Sequence, residues 1–497
     1  MRMTRVAAAV LLAIGLFVHL PPVGAAAGAT PPAIAWHACA TGPADDLGTA
    51  LDAAGAQCGE VIVPVDYGRR GGRTITVALS RIRATDPGQR RGTLLINPGG
   101  PGAPGMEQVL LGAYMPAVAA RYDLVGMDPR FVGRSSPLRC DWPTDTFLRS
   151  AGPDRRTFAE SVAFAKQLAV GCTNADRDLL PHATTRNAAR DMDTVRRALG
   201  EDKISYLGYS YGTYLGAVYL QMFGAYADRF VLDSAVDPAV YGPGLFRRNA
   251  PAVTAALRNW AGWAAEHGEY GLGTTARQVL ATVDRISRAA TRRPLRVGSY
   301  SVDGHVLPYL LFAGVYDDSD AAYATFAGTV QTLDTAARGG TATPSPELEQ
   351  FLAGLFTGSG AATDRAGTPF LCADRAVSRD PASYLRDIEA HRADEPLFGP
   401  LVRNITPCAF WPTAPVEPPT TFDHRAPALV VSAVGDPATP YPGQVAMHRA
   451  LSGSRQVSLR GAFRHGVYLL AGNACVNTTV DAYLLGGVLP GTDRTCG

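Results

Sequence analysis

Gly208-Tyr209-Ser210-Tyr211-Gly212 sets a serine between two glycines in the spacing G-x-S-x-G. A serine hydroxyl becomes a nucleophile only when a base takes its proton and an acid orients that base. Asp436, in Gly435-Asp436-Pro437, and His465, in Phe463-Arg464-His465-Gly466, follow in the order serine, acid, histidine. Asp233 and Asp237 are rival acids. His424 is a rival base, but it precedes the strand it would have to follow. Attack on a carbonyl also develops an oxyanion, which needs N–H donors. One is expected from Tyr211, the residue after the serine. The other is expected from Pro98-Gly99-Gly100-Pro101-Gly102. Gly100 is the choice in that turn, because Pro98 and Pro101 carry no N–H. This chemistry calls for no metal and no cofactor.

Such groups converge only if strands and helices deliver them to one edge of a sheet. Short apolar runs without strict alternation read as strands covered on both faces. They fall at Thr93 to Asn97, Tyr122 to Asp128, Ile204 to Gly208, Arg229 to Asp233, Ala426 to Ala433 and Gln456 to Leu459. Thr185 to Leu199 and Tyr211 to Met222 read as helices between them. A strand therefore enters the serine motif and a helix leaves it, the context a nucleophile elbow requires. Repeated strand–helix–strand order predicts a doubly wound, mainly parallel sheet. After Asp237-Pro238 the pattern turns helical until about Pro419, and strands resume at Ala426. The expected division is a signal peptide at 1–29, a first part of the sheet domain at 30–239, an inserted helical cap at 240–420, and a second part at 421–497.

The bulk composition narrows the function classes. The formal net charge is +2, and Lys166 and Lys203 are the only lysines. No basic patch with interleaved aromatics argues for nucleic acid. Arg2 and Arg5 precede an apolar run from Val6 to Leu20, and small residues follow at Ala25 to Ala29. That is the layout of a secretory signal peptide, and about fifteen apolar residues is short for a membrane span of roughly twenty. The mature protein is expected outside the cell, without a membrane span, as a monomer. Eight cysteines, none in a C-x-x-C pair, favour disulfides in an exported chain. The simplest pairing joins sequence neighbours: Cys39–Cys58, Cys140–Cys172, Cys372–Cys408 and Cys475–Cys496.

Asn97-Pro98-Gly99-Gly100-Pro101-Gly102, Asp128-Pro129-Arg130, Gly208-Tyr209-Ser210-Tyr211-Gly212-Thr213 and Gly435-Asp436-Pro437 with His465 together resemble secreted actinobacterial tripeptidyl aminopeptidases. These belong with the prolyl aminopeptidase-like α/β hydrolases. The resemblance implies an α/β-hydrolase fold with a helical cap, a triad of Ser210, Asp436 and His465, and release of short peptides from a free N-terminus. Phe131 departs from the wider superfamily, which has glycine there, and is expected to alter a supporting loop. An exopeptidase must also recognise a substrate ammonium, and a cap carboxylate would do so. Asp374, beside Cys372, is the candidate. Two rivals remain: a secreted carboxylesterase or lipase using the same triad, and a silent binding protein that keeps the fold. Acidic side chains facing Ser210 would separate the peptidase from the esterase, whose pocket would be apolar.

Overall fold

The computed structural model describes residues 33–497 apart from 139, 175–176 and 359–362, so the expected signal segment lies outside the described residues. The strands are β1 (Gln57–Pro64), β2 (Thr74–Ile82), β3 (Gly92–Asn97), β4 (Tyr122–Met127), β5 (Ile204–Tyr209), β6 (Ala227–Asp233), β7 (Leu295–Val297), β8 (Tyr300–Val302), β9 (Ala428–Ala433), β10 (Arg455–Leu459) and β11 (Arg494–Cys496). Nine of them form one sheet in the order β1-β2-β4-β3-β5-β6-β9-β10-β11. Only β1–β2 and β2–β4 are antiparallel; every other neighbouring pair is parallel. Every residue of β3, β4, β5 and β9 is buried, as strands covered by helices on both faces require. This is the α/β-hydrolase fold.

The central helices follow from local chemistry. Thr184 caps the helix Thr185–Ala198 by accepting from Asn187 N–H, which satisfies one of the free donors at its start. The helix Tyr211–Phe223 is buried along its first ten residues, from Tyr211 to Leu220. Arg130, fully buried, locks this region to the sheet. It pairs with Asp191 at 2.7 Å and donates to the carbonyls of Pro64, Val65 and His182. Phe131 holds a left-handed φ of 68° and is 1% exposed. Burial of its ring offsets the backbone cost that glycine would avoid.

Between β6 and β9 the chain builds the cover over the sheet. The helices Ala250–Glu266, Ala276–Arg292 and Asp320–Ala337 pack on one another. Leu307–Ala313, Pro346–Thr357 and Thr363–Asp374 lie nearer the serine. A small antiparallel hairpin of β7 and β8, absent from the sequence reading, accompanies them. The cover also recruits part of the β4–β5 connection. The helix Arg155–Thr173 packs against Pro381–His391 and the turn at Pro407–Phe410. All four disulfides join the sequence neighbours expected, and among the described residues no cysteine is free. Cys372–Cys408 ties the helix Thr363–Asp374 to that turn.

Candidate active site

Ser210 sits where β5 gives way to the helix Tyr211–Phe223, with φ 54° and ψ −123°. A non-glycine residue in that conformation costs on the order of 1–3 kcal/mol, so its surroundings must hold it. They do so through hydrogen bonds. Ser210 N–H donates to Asp233 O at 2.9 Å, and the Thr213 hydroxyl donates to Ser210 O at 2.6 Å. The flanking glycines answer to crowding. A Cβ on Gly208 would lie 2.6 Å from Gly212 O, and one on Gly212 would lie 2.7 Å from Asn97 Oδ1.

His465 and Asp436 come together on loops beyond β10 and β9. His465 Nδ1 lies 3.0 Å from Asp436 Oδ2 and 3.1 Å from Oδ1. Asp436 is completely buried, and it accepts from Ala438 N–H, Thr439 N–H, the Thr439 hydroxyl and the Gln444 amide. Both oxygens of the buried carboxylate are therefore supplied with donors. An Nδ1–H donated to it leaves Nε2 of a neutral ring free. Burial pulls the His465 pKa down, but the charge and hydrogen bond of Asp436, with the charge of Asp233, outweigh it and raise the value. Tyr316 backs the ring: its carbonyl accepts His465 N–H at 2.8 Å, and its ring meets the imidazole edge-on at 5.6 Å.

The two rival acids do other work. Asp233 accepts from Val467 N–H, Tyr468 N–H and the Ser234 hydroxyl. The Ser234 hydroxyl in turn accepts from Gly466 N–H, and Ser234 O accepts from Thr439. Asp233 and Ser234 thus fix the histidine loop, a role that the sequence signals only by their position at the end of β6. Asp237 pairs with Arg248 away from the histidine. His424 lies beside Gly224 and accepts from Ala426 N–H.

Gly99 N–H is already donated to Asn97 Oδ1 at 3.0 Å. Gly100 N–H has no such partner among the described residues, and Gly100 lines the same cavity as Ser210 and His465. Tyr211 is the first residue of its helix, so its N–H has no acceptor within the helix. Asp128, which the sequence reading treated only as part of a motif, braces this turn. It accepts from Gly105, Met106 and Arg134 N–H. Gly99 holds φ 107°, and a Cβ there would sit 2.8 Å from Ser210 Cβ and 2.7 Å from Tyr209 O. Gly99→Ala is therefore expected to displace Ser210 and lower kcat by about 10² or more. Steady-state kinetics beside circular dichroism would check this; an unchanged kcat in a folded variant would contradict it.

The cavity holding Ser210, His465 and Gly100 has a volume of about 730 Å³. Its lining includes Asp145, Thr146, Tyr309, Glu347 and Asp364, and no Lys or Arg is among its described lining residues. Asp364 Oδ2 accepts from the Thr146 hydroxyl at 2.5 Å. Burial, with the charge of Asp145 added, pushes the Asp364 carboxyl up to about 6 despite that bond.

A family model described as TAP-like protein matches residues 395–496, the stretch with Asp436 and His465. The chain is 34% identical to a tripeptidyl aminopeptidase of Streptomyces lividans, over 88% of this chain and 83% of that protein. The chain belongs to the TAP-like family of α/β hydrolases. Other TAP-like relatives carry different names. Serine protease Hip1 of Mycobacterium tuberculosis is 33% identical over 89% of this chain and 87% of that protein. Carboxylesterase B of the same organism is 34% identical over 98% and 96%.

In this TAP-like enzyme Asp374 does not line the cavity, contrary to the sequence expectation. Its Oδ1 accepts from Thr185 N–H, and its Oδ2 accepts from the hydroxyls of Thr185 and Tyr241. The Thr185 hydroxyl also lies 3.0 Å from Tyr211 OH, so Asp374 braces the start of the helix that follows Ser210. Asp364, ten residues earlier on the same helix, reaches the cavity instead. Ten residues span about 15 Å of helix and end on a different face, which separates the two carboxylates.

Proposed function

We propose that the protein is an exported serine exopeptidase that releases short peptides, chiefly tripeptides, from free N-termini. Ser210 attacks the peptide carbonyl while His465 Nε2 takes its proton, and Asp436 holds the ring. Gly100 and Tyr211 N–H receive the oxyanion. His465 then protonates the leaving amine, and a water deprotonated by the same ring hydrolyses the acyl-enzyme. Four disulfides support export. Among the described residues no helix is long and apolar enough to cross a membrane.

The observation that carries the choice of substrate is the acidic wall of the cavity. Asp364, Asp145 and Glu347 share a space with Ser210. A carboxylate poorly supplied with water is matched by a substrate ammonium, and an ester offers no such cation. The esterase reading keeps one support, the relative named carboxylesterase B. An oligopeptide with a free N-terminus, digested and followed by mass spectrometry, separates the two. Loss of tripeptides in succession is expected. Intact peptide alongside rapid turnover of a short ester would overturn the peptidase reading.

Asp436→Asn is expected to lower kcat by about 10⁴, because the amide no longer holds the imidazole in its working tautomer. Wild-type activity needs the neutral ring. It is therefore lost as pH falls through a His465 pKa raised above 6.5. Removing the Asp436 charge removes the upward push, so the acid limb of the residual activity moves to lower pH. A pH–rate profile of both proteins checks the direction.

A further inference from the structure

A second cavity of about 330 Å³ opens beside the first. The two share Ala313, Tyr316, Glu347 and Phe351, so they are adjoining chambers. The second chamber is walled mainly by Leu310, Ala322, Phe326 and Leu348, with Thr325 at its side and with Asp317, which pairs with Arg464, also lining it. Its floor is built by close packing. A Cβ on Gly314 would meet the Phe326 ring at 2.2 Å, so the ring packs there only against glycine.

Position relative to His465 says what enters. Tyr316 lines both chambers and also holds His465: its carbonyl accepts from the His465 backbone N–H, and its ring meets the imidazole edge-on. The neighbouring Asp318 accepts from Phe463 N–H and pairs with Arg464, clamping the histidine loop to this wall. In a serine hydrolase the imidazole passes its proton to the leaving group, so the leaving side of the substrate lies next to the histidine. Asp364 and Thr146, the groups placed to read the N-terminus, line the first chamber and not the second.

We infer that the second chamber is a subsite for the residue that follows the cleaved bond, and that it selects a large apolar side chain there. This rests on the peptidase reading above. The chamber's apolar walls recover burial from leucine or phenylalanine and little from alanine. Glu347, at the junction of the two chambers, disfavours an acidic residue at the same place.

The test uses the mature enzyme and peptides that differ only in the residue after the cleaved bond: leucine, phenylalanine or alanine. Wild-type kcat/KM is expected to favour leucine and phenylalanine by about tenfold or more. Ala322→Phe, which fills the chamber from the helix Asp320–Ala337, is expected to abolish that preference. Thr325→Trp, at an exposed position on the same helix, provides the same readout should Ala322→Phe fail to fold. No preference in the wild type would overturn the inference. So would variants that instead change selectivity for the residue before the bond. If the wild type cuts none of these peptides, the peptidase reading itself fails and the subsite falls with it.

Discussion

Ser210→Ala is expected to lower kcat by about 10⁶ on every substrate, leaving only the rate that binding and the oxyanion donors sustain. The size of this loss follows from the geometry around the serine. Its backbone is held at a positive φ by Asp233 O and Thr213, and alanine occupies the same turn without a nucleophile. Stability should therefore change little, and a thermal melt beside the kinetics separates lost chemistry from lost fold. A fluorophosphonate probe gives an independent readout, labelling the wild type and not the variant. A variant that keeps more than about a hundredth of the wild-type kcat would place the nucleophile elsewhere.

Asp364→Asn is expected to have a smaller effect than loss of Ser210 or of the Asp436 charge, but a selective one. Removing one member of a partly desolvated ion pair costs about 3 kcal/mol, so kcat/KM for free-amine peptides is expected to fall by about 10². Turnover of a short uncharged ester should change far less. The pH dependence carries the same signature. The free-enzyme carboxyl titrates at about 6, pushed up by burial and by Asp145, and only its ionised form pairs with an ammonium. Wild-type kcat/KM on peptides is thus expected to fall below about pH 6 with contributions from Asp364 and His465. The variant should keep only the histidine's share.

Stability should move in the opposite sense. A folded-state value of about 6, above the ordinary 3.8, means that the fold favours the neutral carboxyl. The stability this supplies is full at low pH and is lost as pH rises from about 4 to 6. At pH 8 the asparagine variant should therefore melt no lower than the wild type. A large fall in Tm at that pH would mean that Asp364 serves the fold more than the substrate.

The placement of Ser210, Asp436 and His465 was legible because each cue is local. Ser210, Asp436 and His465 each lie just beyond a strand, and β5, β9 and β10 show as compact apolar runs. The cysteine pairing was legible because each bridge joins two consecutive cysteines, 19 to 36 residues apart. The hairpin of β1 and β2 was missed since it lies at the edge of the sheet, where burial alternates and Ile62 is 65% exposed. Such strands do not read as continuous apolar runs. Asp364 was missed for a different reason. Nothing in Thr363-Asp364-Arg365 distinguishes a cavity carboxylate from a solvated one. The difference comes from Asp145 and Thr146, more than two hundred residues earlier, which meet it only in the folded cover. Asp374 attracted notice through its neighbouring cysteine, yet that disulfide anchors the helix and leaves Asp374 bracing Thr185 and Tyr241.

The most direct measurement compares two versions of one tripeptide anilide, with the amino terminus free or acetylated, on the mature enzyme at pH 8. Cleavage of the free-amine peptide, with kcat/KM about 10² or more above that of the acetylated one, is the result expected of an acidic wall that reads the N-terminus. Equal rates on both peptides would contradict that account and return the cavity to an unselective hydrolase.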